Sequence, residues 1–251
     1  MNPLFSVITI TYNAAQWIER TIDSVSSQTI RDRIEYIVID GASKDGTVEI
    51  LNRRREDIHV FVSEPDKGLY DAMNKGLQRA SGEYVWFMNA GDTIRDTDTA
   101  EQLMKVVAEN QSPDIIYGET ALVDGEGRFL RMRRLKAPEV LNWRSFKNGM
   151  LVCHQSFIVK RAVATPYDLN YRLSSDVDWC IRAMKAAHSI VNSRIIITNY
   201  LEEGLSTSNR KKSLKERYAI MSNHYGKGPT FLRHIWFALR FSFAKYISGE
   251  V

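Results

Sequence analysis

Short apolar runs alternate along the first half of the chain with stretches whose apolar positions repeat at helical spacing. The runs have strand length and are rich in β-branched and aromatic side chains, whereas the intervening stretches favour amphipathic helices. Four strand-then-helix units in succession predict an α/β fold with a parallel sheet and right-handed crossovers. The predicted strands cover residues 5–11, 34–39, 58–63 and 84–88, and the predicted helices cover residues 15–27, 47–55, 69–79 and 97–109.

Polar side chains follow each of the four predicted strands. One polar turn is only a turn, but the carboxyl ends of parallel strands meet at one sheet edge, where open α/β sheets bind ligands. The sequence therefore predicts a binding site there. Neither of the common glycine-rich phosphate loops is present, which excludes the classical P-loop and dinucleotide-binding classes. The polar residues are Thr11, Tyr12 and Asn13, then Asp40 and Ser43, then Asp66 and Lys67, and finally Asn89 and Asp92.

Each aspartate at this edge could either bind a ligand or have a local structural role. Asp40 suits a base imide or ribose hydroxyls, and its alternative is an Asx-turn or helix cap. Because Asp45 and Thr47 can cap the following helix, we expect Asp40 to stay free for a ligand. Asp92 with Asn89 offers hard oxygen ligands for Mg²⁺ or Mn²⁺ on a diphosphate. A capping turn carboxylate is the alternative for Asp92.

Composition and charge narrow the functional class. The chain has 251 residues, 44% of them hydrophobic, which is enough for one large α/β domain with an extension. Residues 1–127 carry a balance of −10 and residues 128–251 a balance of +14. That asymmetry suits a site with metal-binding carboxylates and phosphate-binding cations, although uneven surface solvation is the alternative. Nucleic-acid binding is disfavoured, since no recognised module is present.

Two features bear on the compartment. Cys153 and Cys180 show no disulfide or zinc pattern, so we expect a reducing environment. The N-terminus lacks a basic region before its apolar run, which indicates a strand rather than a signal peptide.

Four motifs in the first half share a specific resemblance. SVITITYN, IDGASKDGT, EPDKGLYDAMNKG and GEYVWFMNAGD resemble, in order and spacing, the nucleotide-sugar half of family 2 glycosyltransferases. The resemblance implies a GT-A (Rossmann-like) fold, a mostly parallel sheet flanked by helices, with residues 1–118 binding the donor. It assigns Asp40 to the nucleoside and Asp92 to the metal and diphosphate, although Asn89 and Gly91 stand where the family often has carboxylates. The polar residues 11–13, 43, 66, 67 and 89 become donor-binding residues on this reading.

A second stretch, residues 149–182, is similar to the acceptor half of the same family, expected to span residues 119–208. There a His-Gln pair, here His154 and Gln155, precedes a strand, and an aspartate begins a helix. By this resemblance His154 and Gln155 contact the nucleotide-sugar diphosphate or the acceptor; a packed histidine is the alternative for His154. By this resemblance Asp176 is the catalytic base, and the start of a helix stabilises its anionic form. Helix capping is the alternative role, with Ser174 and Ser175 as rival caps.

Between these halves lies a predicted hairpin. A strand is expected at residues 114–118, a turn at the Asp124-Gly125 pair, and a return strand at residues 128–136. The return strand carries five cations, which suit either a phosphate-bearing acceptor or a charge-protected sheet edge. They are Arg128, Arg131, Arg133, Arg134 and Lys136.

The C-terminal region, residues 209–251, is predicted to form an amphipathic helical extension. Its stretch 229–248 interleaves aromatics with cations, which is typical of a helix lying in a membrane interface. A buried helix or an oligomer contact is the alternative. Before it, residues 203–207 are similar to a family loop that closes the site, and Ser206, Arg210, Lys211 and Lys212 are expected near the diphosphate.

The sequence thus predicts an inverting, metal-dependent glycosyltransferase using Mn²⁺ or Mg²⁺. The expected donor is a nucleotide sugar, UDP- favoured over GDP-, and the expected acceptor a saccharide, lipid-linked, in bacterial surface polysaccharide synthesis. The expected location is the cytoplasm, peripheral on the inner face of the membrane. A non-catalytic nucleotide-sugar-binding module of the same fold is one alternative. A nucleotidyltransferase is the other, although it would need a glycine-rich basic loop that residues 11–14 do not form.

Overall fold

The computed structural model describes residues 2–202 and 210–236, which form one mixed sheet flanked by helices. The strands are β1 (Phe5–Thr11), β2 (Ile34–Asp40), β3 (Val60–Ser63), β4 (Tyr84–Phe87), β5 (Thr93–Ile94), β6 (Ile115–Val123), β7 (Phe129–Met132), β8 (Phe157–Lys160) and β9 (Ile190–Leu201). The helices are α1 (Ile18–Ser26), α2 (Thr47–Arg53), α3 (Leu69–Arg79), α4 (Thr99–Glu109), α5 (Ser175–Ala186) and α6 (Arg210–Tyr225).

The strand order confirms the predicted parallel half. The sheet runs β3-β2-β1-β4-β8-β6-β9-β5, with β7 paired to β6. Strands β1 to β4 are parallel to their neighbours within this group, whereas β8 is antiparallel to both β4 and β6. Thr11 pairs with Asp40, and Asp40 pairs with Ser63, so three carboxyl ends lie level at one edge. The polar clusters therefore emerge together, as the sequence predicted.

Both faces of the parallel strands are buried, which explains their unbroken apolar composition. Ile8 and Ile37 face the core beneath α3 and α5. Val7 and Val38 face the opposite core beneath α1, α2 and α4. Successive side chains of a strand point to opposite faces, so each strand contributes to both cores.

The hairpin region differs from its prediction. Strand β6 extends to Val123 rather than ending at 118, because its second part pairs with β9 on one side and with β7 on the other. The return strand β7 ends at Met132 rather than 136, and the Arg133 guanidinium instead donates to the carbonyls of Met150 and Leu151.

The cations of this return strand have internal partners. Arg128 pairs with Asp124 at 2.8 Å, and Arg131 pairs with Glu202. These contacts favour the charge-protected edge over a phosphate-binding role for the strand.

The C-terminal extension is helical where it is described. Helix α6 is followed by a second helical stretch at residues 227–236. The predicted closing loop at 203–207 and the second half of the stretch 229–248 lie outside the described residues. Among residues 2–202 and 210–236, no helix combines the length and apolar character needed to cross a membrane.

Candidate active site

The loops after β1 and β2 interlock at the carboxyl edge. The Asn13 backbone N–H donates to Ser43 Oγ at 2.8 Å, and Asn13 Oδ1 accepts from the Lys44 N–H at 2.9 Å. Asn13 has φ of +48°, a left-handed conformation that asparagine tolerates better than most residues. Asp45 accepts from the backbone N–H groups of Ala15 and Thr47. These bonds use Asn13 and Ser43 mainly to fix the two loops against each other.

Asp40 is fully buried and bonded within its own loop. Its carboxylate accepts from Ser63 Oγ at 2.6 Å, from the Ser43 N–H at 3.0 Å, and from Ser43 Oγ. Asp40 thus has more local bonds than the sequence indicated, although Asp45 accepts from the first backbone N–H of α2, that of Thr47. A carboxylate has about four acceptor positions. Three of them are occupied at Asp40, which leaves room for one bond to a ligand.

Tyr12 and Asp66 flank Gly41, just beyond Asp40. A Cβ on Gly41 would lie 2.5 Å from Asp66 Oδ2 and 3.2 Å from the Tyr12 ring, so a larger residue would displace the Asp66 carboxylate from this position. Tyr12 is 65% exposed, and its ring is open to a stacking partner. Tyr12 and Asp66, two of the residues predicted to bind the donor, therefore lie together at Gly41, next to Asp40.

The turn after β4 holds Asn89 and Asp92 against α1. Thr21 Oγ1 donates to the Asp92 carbonyl at 2.8 Å and accepts from the Gly91 N–H at 2.9 Å. Gly91 has φ of +100°, and a Cβ there would lie 2.8 Å from Leu201. The glycine in Asn-Ala-Gly-Asp is thus required by both backbone conformation and space.

The Asp92 carboxylate is 4% exposed and accepts one hydrogen bond at each oxygen. Gln155 Nε2 donates to Oδ2 at 2.8 Å, and the Leu201 backbone N–H donates to Oδ1 at 3.0 Å. Burial raises the pKa of Asp92 to about 7, although both hydrogen bonds and the Arg20 charge oppose that shift. A cation bound here would favour the ionised form.

Two oxygens near this turn lack a protein partner. Asn89 Oδ1 and Thr11 Oγ1 are buried side-chain atoms without a hydrogen bond; Thr11 is the last residue of β1, and Asn89 follows the adjacent strand β4. Buried polar atoms are normally paired, so these two point to a missing ligand. Like the Asp92 carboxylate, they are hard oxygens of the type that Mg²⁺ or Mn²⁺ prefers. Within the described residues, no group of three His, Cys, Asp or Glu side chains is placed to hold a metal.

The two residues of the predicted His-Gln pair contact different parts of the protein. Gln155 reaches from the acceptor half to Asp92 in the donor half, and its Oε1 accepts from Cys153 Sγ at 3.1 Å. His154 is buried, with Nε2 2.7 Å from the Tyr167 hydroxyl and its ring packed against Phe87. Burial lowers the pKa of His154 to about 4, so its ring is neutral at pH 7.

Asp176 lies in the first turn of α5, which Ser174 precedes as N-cap, and its side chain is partly exposed. Tyr70, near the start of α3, donates its hydroxyl to Asp176 Oδ1 at 3.0 Å. Burial raises the pKa of Tyr70 well above its ordinary value, so the hydroxyl remains a donor. The Tyr70 ring stacks on Tyr167 at 5.6 Å. A phenol from the donor half therefore contacts the predicted base of the acceptor half.

Sequence reasoning missed Tyr70 and Tyr167. Tyr70 stands inside the EPDKGLYDAMNKG motif, at a buried position of α3, where a tyrosine hydroxyl must find a partner. Lys67, which was predicted to face phosphate, is exposed and lies with Tyr70, Tyr171 and Arg172 on a cavity of about 160 Å³.

Comparison with known proteins agrees with this geometry. The model of the glycosyl transferase family 2 matches residues 6–165. An uncharacterized glycosyltransferase of Mycobacterium tuberculosis is 35% identical over 99% of this chain and 91% of its own length. The putative teichuronic acid biosynthesis glycosyltransferase TuaG of Bacillus subtilis is 29% identical over 87% of each chain. The structure of S. aureus TarS 1-349 with UDP-GlcNAc superimposes with a TM-score of 0.68 and 20% identity, covering 87% of this chain and 66% of TarS 1-349. The sheet is thus that of a GT-A glycosyltransferase, and the chain belongs to glycosyl transferase family 2.

Proposed function

We propose that this enzyme transfers a sugar from a nucleotide sugar to a saccharide hydroxyl with inversion at the anomeric carbon, and that Asp176 is the base. The observation that carries the proposal is the position of Asp176. Its carboxylate is partly exposed in the first turn of α5 and is held by a donor from the other half of the fold. The helix N-terminus and the Tyr70 hydroxyl both stabilise an anion there.

The donor nucleoside is proposed to lie along the carboxyl edge of β1 to β3. Asp40 has one acceptor position left, and its orientation is fixed by Ser43 and Ser63. Tyr12 offers an exposed ring beside it, and Asp66 lies on the other side of Gly41. UDP is proposed as the donor nucleotide in preference to GDP.

The donor diphosphate is proposed to lie at the Asn89–Asp92 turn. Asp92, Asn89 Oδ1 and Thr11 Oγ1 would hold Mn²⁺ or Mg²⁺, which would neutralise charge on the departing diphosphate. Gln155 and the Leu201 N–H fix the orientation of the Asp92 carboxylate by one hydrogen bond to each oxygen.

In the transfer step, Asp176 accepts the proton of the acceptor hydroxyl as that oxygen bonds to the anomeric carbon. The bond from this carbon to the diphosphate oxygen breaks on the opposite face, and the nucleoside diphosphate leaves with the bonding pair. One displacement by this route inverts the anomeric configuration.

The acceptor is proposed to be a lipid-linked saccharide of a bacterial surface polysaccharide, at the cytoplasmic face of the membrane. The name of TuaG, which assigns it to teichuronic acid biosynthesis, supports this class. The helical residues 227–236 support a membrane surface, because four large apolar side chains are exposed around the cation Arg233. They are Phe231, Leu232, Ile235 and Trp236, with Leu232 68% exposed.

Calorimetric titration with UDP and GDP, with and without Mn²⁺, tests the donor site in the wild type and in Asp92→Ala. Metal-dependent binding of one nucleotide that Asp92→Ala loses is the expected result. Metal-independent binding that the variant keeps would remove Asp92 from the mechanism. Asp176→Asn should abolish sugar transfer and leave nucleotide affinity nearly unchanged. Transfer that persists in Asp176→Asn would show that another group is the base.

The alternative function is a nucleotide-sugar-binding module without catalysis, which the single carboxylate of the Asn-Ala-Gly-Asp turn favours. Turnover of a nucleotide sugar with a saccharide acceptor would exclude it. Binding of nucleotide without turnover across a panel of acceptors would favour it over the proposed enzyme.

Sedimentation with phosphatidylglycerol vesicles tests the membrane contact. The wild type should bind them more strongly than phosphatidylcholine vesicles, and a Phe231→Ser, Leu232→Ser double variant should lose binding. Val140→Ser is the matched control, since Val140 is 75% exposed elsewhere on the surface. Equal binding by the double variant and the control would contradict a membrane contact through this helix.

A further inference from the structure

Helix α6 holds the segment that leads into the proposed base. Each of the four residues 171–174 takes part in a hydrogen bond to α6. Glu216 accepts from two consecutive backbone N–H groups, those of Arg172 at 3.1 Å and Leu173 at 2.8 Å. The outer bonds join Asn223 Nδ2 to the Tyr171 hydroxyl at 3.0 Å and Ser213 Oγ to Ser174 Oγ at 2.9 Å.

The same helix also holds α5 on the other side of Asp176. His224 Nε2 lies 2.7 Å from Asp178 Oδ1, and Arg182 pairs with Asp178 Oδ2 at 2.6 Å. Burial opposes ionisation of Asp178, but the hydrogen bonds from His224 and Arg182 outweigh it and lower its pKa. Asp176 thus lies between two anchor points, residues 171–174 and residue 178, which are both attached to α6.

We infer that α6 is a positioning element for Asp176, with Glu216 and His224 as its positioning residues. The inference rests on the proposed role of Asp176 as the base. A first helical turn is otherwise one of the less constrained parts of a helix, because its N–H groups lack partners within the helix. Fixing the chain immediately before and after Asp176 limits how far its carboxylate can move. Misplacing a reacting group by about 1 Å costs about 100-fold in rate.

The stabilising value of these bonds alone is modest. Arg172 is exposed and Leu173 half-buried, so water would satisfy their N–H groups if Glu216 were removed. A carboxylate aimed at two successive N–H groups instead fixes the direction of the chain there. Helix α6 belongs to the region 209–251 that the sequence predicts as a C-terminal extension, so that region supplies the positioning contacts.

Glu216→Gln and Glu216→Ala test the inference, with Glu109→Gln as the matched control. The control makes the same change on the exposed end of α4. We expect faster amide exchange at residues 172–174 in both Glu216 variants. We also expect kcat for nucleotide-sugar turnover to fall about 10-fold in Glu216→Gln and up to about 100-fold in Glu216→Ala. UDP affinity and binding stoichiometry should match the control within about twofold, because the donor contacts are unchanged.

His224 supplies an independent pair of variants. Gln places an amide nitrogen near the position of the imidazole Nε2, so His224→Gln should retain most of the kcat that His224→Ala loses. If His224 contributed only to stability, the fraction of His224→Ala protein that binds UDP would fall by the same factor as kcat.

Two outcomes would contradict the inference about α6 or the assignment of the base on which it rests. If amide exchange accelerates in Glu216→Ala while kcat stays at the control value, α6 does not position the base. If Asp176→Asn itself retains transfer, the assignment of the base fails, whatever the Glu216 variants show.

Discussion

The hydroxyl of Tyr70 donates a 3.0 Å hydrogen bond to the carboxylate of Asp176, although 106 positions separate the two residues. Tyr70 belongs to the helix that follows the donor-side strand β3, and Asp176 begins the helix of the acceptor side. The bond therefore ties the proposed base to the half of the fold that is proposed to bind the nucleotide sugar.

Tyr70→Phe should lower kcat for sugar transfer and leave UDP affinity unchanged. The phenol holds the Asp176 carboxylate from the side of α3, so without it the proposed base is positioned less precisely for the acceptor hydroxyl. Loosely positioned reacting groups lose rate steeply, and we expect a fall in kcat of about 10-fold. Tyr84→Phe is the control, since it removes a buried hydroxyl that bonds to the Pro113 carbonyl instead. A kcat equal to that of the control would show that Tyr70 does not act on Asp176.

Asp92 should make unfolding pH-dependent in protein free of metal. The folded pKa of about 7 lies above the ordinary value of 3.8, so between these values the native state binds more protons than the unfolded state. Stability associated with Asp92 is therefore fully present below about pH 4 and falls as the pH rises towards 7. Relative to Asp92→Asn, the wild type should lose about 2–3 kcal/mol between pH 5 and pH 8. Denaturant unfolding in EDTA measures this difference, and parallel pH curves for the two proteins would contradict it.

Gly91→Ala should weaken both stability and nucleotide binding. Alanine in a left-handed conformation costs about 1–2 kcal/mol, and the contact with Leu201 adds about 1–3 kcal/mol. Gly127→Ala is a close control, because Gly127 also has positive φ but has open space around it. Unfolding midpoints and UDP titration compare the two. Equal effects would mean that Leu201 moves aside without disturbing the turn.

His154 should remain neutral across the working pH range. Its pKa of about 4 follows from burial, which disfavours the charged ring. Nitrogen-detected NMR of the imidazole should show no titration of His154 between pH 5.5 and pH 8. A titration within that range would show that water reaches the ring and would make His154 a candidate proton carrier.

The amino-acid pattern determined the framework of this protein. Apolar runs such as 5–11 and 34–39 fix buried parallel strands, because strands covered on both faces have no polar side to offer. Polar residues directly after such strands must then meet at one edge, which is how Asp40 and Asp92 were predicted to line a common site. Local signals also placed Asp176 in the first turn of a helix.

Only the tertiary structure decided which of these polar groups are available. Ser63 lies 23 positions from Asp40, and Gln155 lies 63 positions from Asp92, so local sequence could not show that both carboxylates are already hydrogen-bonded. The contacts of Asp176 with Tyr70, and of residues 171–174 with α6, depend likewise on how distant helices pack. The periodicity of apolar residues shows which face of a helix or strand is buried. It does not show which side chain of another element packs against that face, and the hydrogen-bond partners of a buried polar group depend on that packing.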